Sequence, residues 1–238
     1  MPAPLLVFDL DGTLADTAPD LLATLDWVLP RHGFRSIYDA TLRAGVGHGA
    51  RALIEHALAR QGAAIETPVL DAIYRDFLAY YEANICVGSR LFPGAVELLD
   101  RFAAEGWRFA VCTNKPEKMS AQLLAELGVA ARFAAVKGGD SFSTKKPDPA
   151  HLLGTIAAAE GTREKAILVG DSRTDRDTAR GAGVPMIGVT FGYTTIPMRD
   201  LDPDLLVESL DAIQPEAAAR LIARRPAEAR PAPSPAAP

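Results

Sequence analysis

Two aspartates that directly follow one apolar run constrain this chain more than any other feature of its sequence. Residues 6–8, Leu-Val-Phe, have the character of a buried strand, and Asp9 and Asp11 come next, with Gly12 and Thr13 suited to a tight turn. In a parallel sheet, reactive side chains collect where the strands end. Two carboxylates crowded there repel each other unless a cation or a proton lies between them. The motif therefore predicts a metal site, an acid–base site, or both.

Strand and helix patterns alternate through the chain from residue 92 onward. Apolar runs predict strands over residues 107–113, 133–136, 166–170, 186–189 and 205–207. Helical spacing between them predicts helices over residues 93–105, 116–127, 149–159 and 174–181. Such alternation is typical of a parallel sheet with helices on both faces, so the predicted fold class is α/β, a doubly wound parallel sheet.

The segment between the first strand and this alternation has helical patterns alone. They cover residues 17–29, where Pro30 is predicted to break the helix, and residues 38–44, 49–61 and 68–83. We predict that residues 15–89 form a small all-helical domain inserted into a core domain of residues 1–14 and 90–224. The plainer alternative is a helical excursion packed on the sheet. The tail, residues 225–238, is rich in proline and alanine without periodicity and is predicted to be disordered.

Charge and composition narrow the class of partner. The chain is 48% hydrophobic and 23% charged, as globular proteins are, and its net charge of −5 argues against a nucleic-acid partner. A small anionic substrate is still compatible with that charge, because a bound divalent cation inverts the local field. No apolar run is long enough to cross a bilayer, and the amino terminus lacks the basic segment of a signal peptide. We therefore expect a cytoplasmic protein with no membrane partner.

Polar residues also follow other predicted elements, at positions where they would meet the first pair of aspartates. Thr113 and Asn114 end one strand, Lys146 precedes a helix, Asp171 ends another strand, and Asp175 lies four residues beyond it. A carboxylate can attack phosphorus, and a second carboxyl group can protonate the leaving oxygen. Hydroxyl, amide and ammonium groups can hold the remaining phosphate oxygens, and oxygen ligands favour Mg²⁺ over zinc. The combination predicts phosphoryl transfer assisted by Mg²⁺.

Taken together, these motifs resemble those of the haloacid dehalogenase-like (HAD) phosphatases, and within them the phosphoglycolate phosphatases with a helical cap. The matching strings are residues 8–14 (Phe-Asp-Leu-Asp-Gly-Thr-Leu), 113–116 (Thr-Asn-Lys-Pro), 138–140 (Gly-Gly-Asp), 145–147 (Lys-Lys-Pro), 169–175 (Val-Gly-Asp-Ser-Arg-Thr-Asp) and 192–193 (Gly-Tyr). The resemblance covers nearly the whole chain apart from the tail. It implies a Rossmann-like HAD core with a helical cap, a Mg²⁺-dependent phosphomonoester hydrolase, and a small phosphate ester as substrate, with 2-phosphoglycolate first.

The resemblance also implies a role for each aspartate of the motifs. Asp9 is the nucleophile that becomes the aspartyl phosphate, and Asp11 is the general acid and base. The side chains of Asp9 and Asp171, with the backbone carbonyl of Asp11, are ligands of Mg²⁺. Asp175 anchors the motif lysine or a metal-bound water.

Three further residues are assigned to the phosphate by the same resemblance. Thr113 and the backbone of Asn114 hold phosphate oxygens. Lys146 stabilises charge on the nucleophile and on the transferring phosphoryl group. Lys145 is the immediate rival for that role, although the residue directly before the proline is the one that matches the family pattern.

Other members of the superfamily are separated by residue type. Dehalogenases lack the second aspartate, so Asp11 argues against that chemistry. Phosphonatases need a lysine in the cap to form a Schiff base, and residues 14–90 contain no lysine. Mutases of the β-phosphoglucomutase type share every core motif but commonly have an arginine after a Gly-Val turn, where residues 45–49 here read Gly-Val-Gly-His-Gly. The mutase is the alternative enzyme.

The choice of substrate stays open, because the core motifs say little about the leaving group. Sugar phosphates, nucleotides and pyrophosphate are alternatives to phosphoglycolate. His48 and Arg51, in the inserted segment, are either substrate contacts or ordinary surface residues. A scaffold without activity is the alternative from another class, although the nucleophile, the metal ligands and the lysine are all present in the sequence. A homodimer is possible.

Overall fold

The structure is a computed structural model that describes residues 2–63 and 65–224, apart from the side chains of residues 40, 44 and 48. The predicted disorder of residues 225–238 and any role for the side chain of His48 lie outside this described part. Within it, no helix is long and apolar enough to cross a membrane.

A six-stranded parallel sheet forms the centre of the fold. The strands are β1 (Leu5–Phe8), β2 (Ala15–Asp16), β3 (Arg90–Leu91), β4 (Arg108–Cys112), β5 (Ala135–Lys137), β6 (Ala166–Gly170), β7 (Met186–Val189) and β8 (Leu205–Val207). Six of them lie in the order β5-β4-β1-β6-β7-β8, all paired in parallel, and β2 and β3 form a separate antiparallel pair. The predicted α/β fold class is confirmed. Because β1 is central, the residues that follow it lie at the middle of the sheet edge.

Helices cover both faces of the sheet. The α-helices are α1 (Ala18–Arg31), α2 (Ala50–Ala59), α3 (Thr67–Ala83), α4 (Ala95–Ala104), α5 (Glu117–Glu126), α6 (Pro149–Ala158), α7 (Arg173–Ala182) and α8 (Pro215–Ala223). Alternate residues of β1 belong to two hydrophobic clusters: Leu6 and Phe8 pack with residues of α4 and α5, whereas Leu5 and Val7 pack with residues of α6 and α7. Burial on both faces explains why the strand sequence is continuously apolar rather than alternating.

Among the described residues between β2 and β3, the regular structure is helical. It contains α1, a 3-10 helix over Ala40–His48, α2 and α3. The rings of Trp27 in α1 and Tyr80 in α3 stack with centroids 4.0 Å apart, which fixes these two helices against each other. The buried residues of the segment belong to the same hydrophobic cluster as one face of the sheet. Because β2 pairs with β3, the chain leaves the sheet edge and returns to it at neighbouring points.

The structure gives a physical reason for three of the differences between the predicted and the observed boundaries. The first helix continues to Arg31, so Pro30 lies in its last turn instead of beyond its end. The segment predicted as a helix at 38–44 is a 3-10 helix over Ala40–His48, in a stretch where glycine recurs. The strand predicted over residues 133–136 is β5, which begins at Ala135 instead. Residues 130–132 form a 3-10 turn before it, and the ring of Phe133 packs against the ring of Phe8.

Candidate active site

The turn after β1 brings Asp9 to the sheet edge with its side chain already oriented. The Asp9 Oδ1 atom accepts a hydrogen bond of 2.7 Å from the Leu10 backbone N–H, and the residue is 8% exposed. Gly12 has φ +88°, and a Cβ atom there would lie 2.7 Å from the Asp171 Oδ2 atom. Glycine is therefore required at this position both by the backbone conformation and by the close approach of the second carboxylate.

Asp171 and Asp175 reach the same point from the end of β6 and the first turn of α7. Asp171 is fully buried and accepts hydrogen bonds from the Thr13 hydroxyl at 2.8 Å and the Tyr193 backbone N–H at 2.6 Å. Asp175 forms a capping box with Ser172, in which its Oδ2 atom accepts from the serine N–H and hydroxyl. The start of α7 thus fixes Asp175, and the turn after β1 fixes Asp171.

Lys146 supplies a positive charge to these carboxylates. Its ammonium nitrogen lies 2.9 Å from Asp9 Oδ1 and 2.6 Å from Asp175 Oδ1, and the residue is 3% exposed. Burial alone would lower the pKa of Lys146, but Asp175 and Asp9 together raise that pKa above its ordinary value. The lysine is therefore charged. Lys145, its neighbour, is exposed.

Three buried carboxylates, those of Asp9, Asp171 and Asp175, lie around the single ammonium group of Lys146. One oxygen each from Asp9, Asp171 and Asp175 lies within 4.8 Å of the other two. Burial, which Lys146 only partly offsets, raises the pKa of Asp9 to about 7, and burial together with the other aspartates raises the pKa of Asp171 to about 8. A buried cluster of hard oxygen donors with surplus negative charge fits a divalent ion such as Mg²⁺. Asp175 is bound by the Lys146 ammonium through Oδ1 and by Ser172 through Oδ2. Asp171 accepts only from neutral donors, and Asp9 has both its partners on Oδ1, so these two are the better side-chain ligands.

Thr113 and Asn114 lie where β4 ends, beside the same carboxylates. Thr113 is buried, its backbone N–H donates to the Lys137 carbonyl at 3.0 Å, and its hydroxyl oxygen accepts from the Lys115 N–H at 3.2 Å. Asn114 donates through Nδ2 to the Lys146 carbonyl oxygen at 3.0 Å, so it ties the end of β4 to the segment that carries the lysine. The predicted site residues are therefore brought to one edge of the sheet: Asp9, Asp11, Thr113, Asn114, Lys146, Asp171 and Asp175.

Asp11 has two partners that the sequence did not predict. The Thr17 hydroxyl donates to Asp11 Oδ1 at 2.6 Å, and the Lys115 ammonium lies 2.9 Å from Oδ1 and 3.2 Å from Oδ2. Burial alone would lower the pKa of Lys115, but Asp11 raises that pKa above its ordinary value, so the ammonium stays charged. The sequence shows that Lys115 directly follows Thr113 and Asn114 at a strand end, which places the residue near the site but does not predict its contact with Asp11.

Tyr193 links the carboxylate cluster to the base of the helical segment. Its backbone N–H binds Asp171, and its hydroxyl accepts hydrogen bonds from the backbone N–H groups of Thr17 at 2.7 Å and Ala18 at 2.9 Å. The same hydroxyl donates to Asp16 at 2.6 Å. Tyr193 therefore holds the start of α1 at a fixed position relative to Asp171.

A cavity of about 120 Å³ lies between the sheet edge and the helical segment. The core contributes Asp9, Asp11, Thr113, Asn114, Lys115 and Lys146 to its lining, and the helical segment contributes Leu21, Val46, Arg51, Tyr74, Leu78 and Tyr81. Arg51, one of the two residues left open by the sequence, lines this cavity but is paired with Asp71 at 2.7 Å. The cavity therefore has a polar, charged floor and a wall of apolar and aromatic side chains.

Comparison with known proteins identifies the class to which this fold and site belong. The family model described as "Haloacid dehalogenase-like hydrolase" matches residues 6–189, and the chain belongs to this family. The phosphoglycolate phosphatase of Mesorhizobium japonicum is 44% identical over 222 residues, which cover 93% of this chain and 98% of that protein. The phosphoglycolate phosphatase of Agrobacterium fabrum is 41% identical over 227 residues, which cover 95% and 97% of the two chains.

Solved structures agree with these relatives. A crystal structure of a predicted phosphoglycolate phosphatase from Haemophilus somnus has a TM-score of 0.81 at 30% identity and covers 88% of this chain and 95% of that chain. The predicted family and the predicted enzyme class, a phosphatase, are both confirmed by these comparisons.

Proposed function

We propose that this chain is a Mg²⁺-dependent phosphomonoester hydrolase that acts through an aspartyl phosphate on a small metabolite, with 2-phosphoglycolate as the first candidate. One observation carries the proposal: Asp9, held by Lys146 and next to Asp171, faces the same cavity as Asp11. The names of the curated relatives support phosphoglycolate as the substrate.

Asp9 is suited to act as the nucleophile. Its Oδ1 atom is occupied by the Leu10 N–H and by Lys146, which leaves Oδ2 without a hydrogen bond from the described residues. Attack by Oδ2 forms a bond to phosphorus while the ester P–O bond breaks, and Lys146 balances the charge that accumulates on the transferring group. Mg²⁺, held by the side chains of Asp9 and Asp171 and by the Asp11 carbonyl, would shield the nucleophile from the anionic substrate.

Asp11 is suited to move protons in both halves of the reaction. In the first half it protonates the departing alcohol oxygen, and in the second it takes a proton from the water that attacks the aspartyl phosphate. The Thr113 hydroxyl and the Asn114 backbone N–H would hold phosphate oxygens during both steps. Both residues line the cavity that contains Asp9 and Asp11.

We also propose that the helical segment, residues 15–89, acts as a cap over a core of residues 1–14 and 90–224. The antiparallel pair β2 and β3 lies at the two ends of this segment, where a hinge would have to be. The segment supplies the apolar and aromatic wall of the cavity, so its closure over a substrate would exclude bulk water.

Two experiments test the proposal. The purified enzyme is assayed with Mg²⁺ against 2-phosphoglycolate, glucose 1-phosphate, a nucleoside monophosphate and pyrophosphate, and the substrates are ranked by kcat/KM. We expect phosphoglycolate to rank first; a sugar phosphate at the top, with phosphoryl transfer between its hydroxyls, would favour the mutase. Asp9→Asn is expected to abolish turnover while the thermal unfolding curve stays cooperative. Full activity in that variant would contradict the assignment of the nucleophile.

A further inference from the structure

Lys115 places a buried positive charge beside the residue that must act on the leaving group. Its ammonium nitrogen contacts both carboxylate oxygens of Asp11, and the lysine side chain is 5% exposed. An ammonium group has three donors, so contact with two oxygens leaves at least one N–H for another acceptor. Lys115 lines the cavity, so a substrate group bound there can accept from that N–H.

The contact with Asp11 also fixes where Lys115 lies relative to the leaving group. In the proposed reaction Asp11 protonates the ester oxygen, so that oxygen lies within hydrogen-bond distance of the Asp11 carboxylate. An acidic group one carbon beyond the ester oxygen is then a few ångströms from the same carboxylate. A flexible lysine side chain that already contacts this carboxylate can reach such a group without leaving its site.

Tyr81 is a second buried polar residue at the same place, in direct contact with Lys115. The residue is 1% exposed, and its buried hydroxyl makes no hydrogen bond of ordinary distance and angle in the described part of the chain, although the Lys115 ammonium lies close enough to interact with it. The Lys115 ammonium lies 4.5 Å from the centroid of its ring, so the two residues are neighbours on the cavity wall. A buried hydroxyl without such a hydrogen bond is unfavourable, and an acceptor atom of a bound ligand would satisfy it.

We propose that the Lys115 ammonium and the Tyr81 hydroxyl together bind a carboxylate on the leaving group. This pair determines a preference for phosphomonoesters that carry a carboxylate close to the ester oxygen. The inference rests on the proposed function and assigns the residues that select the substrate. Arg51 also lines the cavity, but it is 41% exposed and already paired with Asp71, so it is the weaker candidate.

The test compares two substrates that differ only in the acidic group. Ethyl phosphate has a methyl group in place of the carboxylate of 2-phosphoglycolate, and the ratio of the kcat/KM value for 2-phosphoglycolate to that for ethyl phosphate measures the preference. We expect Lys115→Met to lower this ratio at least about tenfold and Tyr81→Phe to lower it about threefold or more, because each removes a donor to a charged acceptor. A lysine that only positions Asp11 would slow both substrates equally and leave the ratio unchanged.

Matched controls are available close by. Lys118 on α5 is 82% exposed and pairs with Glu82, so Lys118→Met repeats the substitution outside the cavity. Tyr80 stacks on Trp27 and does not line the cavity, so Tyr80→Phe repeats the loss of a hydroxyl one residue away. Both controls are expected to keep the wild-type activity and the wild-type ratio.

A second measurement guards against a variant that fails to fold. Tyr81→Phe removes only a hydroxyl that makes no hydrogen bond of ordinary distance and angle in the described part of the chain, so it should fold as the wild type does. In that variant the inhibition constant for 3-phosphonopropionate should rise more than that for propylphosphonate, which lacks the carboxylate. The inference is overturned if both Lys115→Met and Tyr81→Phe keep the wild-type ratio of kcat/KM values for 2-phosphoglycolate and ethyl phosphate. It is also overturned if Arg51→Met loses that ratio instead. Either result leaves the proposed function standing. A wild-type enzyme with no preference for phosphoglycolate overturns the proposed substrate as well.

Discussion

Lys146 should be the residue on which the stability of the metal-free site depends. Its ammonium contacts Asp9 and Asp175, and all three side chains are buried. Lys146→Met keeps most of the aliphatic stem but leaves two buried carboxylates without their cation. Breaking a buried ion pair by removing one partner costs about 3–5 kcal/mol of unfolding free energy, so we expect a loss of that size. For a protein of this length it corresponds to a fall in Tm of roughly 6–20 °C.

The assay is urea unfolding of the metal-free protein in the presence of a chelator, with circular dichroism as the probe of unfolding. Lys145→Met is the matched control, because Lys145 is exposed and its loss should change the free energy of unfolding by less than about 0.5 kcal/mol. Adding Asp175→Asn to Lys146→Met removes one unpaired charge and should recover at least about 1 kcal/mol. If Lys146→Met unfolds within about 1 kcal/mol of the wild type, the lysine does not balance the charge of this cluster.

Three further predictions concern the carboxylates and the turn that holds them. Asp171→Asn should raise the Mg²⁺ concentration needed for half-maximal activity at least about tenfold in a metal titration, and an unchanged titration would contradict its role as a ligand. Burial raises the pKa of Asp9 to about 7 and that of Asp171 to about 8, above their ordinary value of 3.8. Between about pH 4 and pH 8 the folded metal-free protein thus binds more protons than the unfolded chain, so its unfolding free energy should fall as the pH rises through this range. The fall should be less steep with Mg²⁺ bound. An unfolding free energy that rises with pH in urea titrations would refute the burial argument. Gly12→Ala should lower the unfolding free energy by about 1–2 kcal/mol or more, because φ is +88° and the new Cβ would meet Asp171; a neutral result would mean that the turn can shift.

The sequence predicted the sheet and its active edge well because local pattern and global topology agree there. The strand β1 is apolar on both faces, as expected for a strand in a sheet that is covered on both sides. Asp9 and Asp11 come directly after β1, which is an inner strand of the sheet. The family resemblance, rather than a local pattern, assigns Lys146 to the charge on Asp9, and its ammonium nitrogen lies 2.9 Å from Asp9 Oδ1. A glycine in a turn, the end of a strand and the start of a helix are all signals in the local sequence. Residues that these features position can therefore be predicted from the sequence.

Residues positioned by packing between distant segments could not be found in this way. The contact between Lys115 and Asp11 joins residues 104 positions apart, and the approach of Tyr81 to Lys115 depends on how α3 packs over the core. The 3-10 helix at Ala40–His48 shows a second limit, because its glycine-rich sequence has too weak a helical preference to distinguish it from an α-helix.

The central claim is that Asp9 carries the phosphoryl group as a covalent adduct, and mapping that adduct tests it most directly. Asp11→Asn cannot activate the water of the second step, so this variant should accumulate the intermediate when mixed with an aryl phosphate, whose leaving group needs no acid. After a rapid acid quench and proteolysis, we predict that the mass of one phosphoryl group is found on the peptide containing Asp9, and that Asp9→Asn abolishes it. A phosphoryl group on another residue, or turnover of Asp11→Asn without any adduct, would contradict the claim.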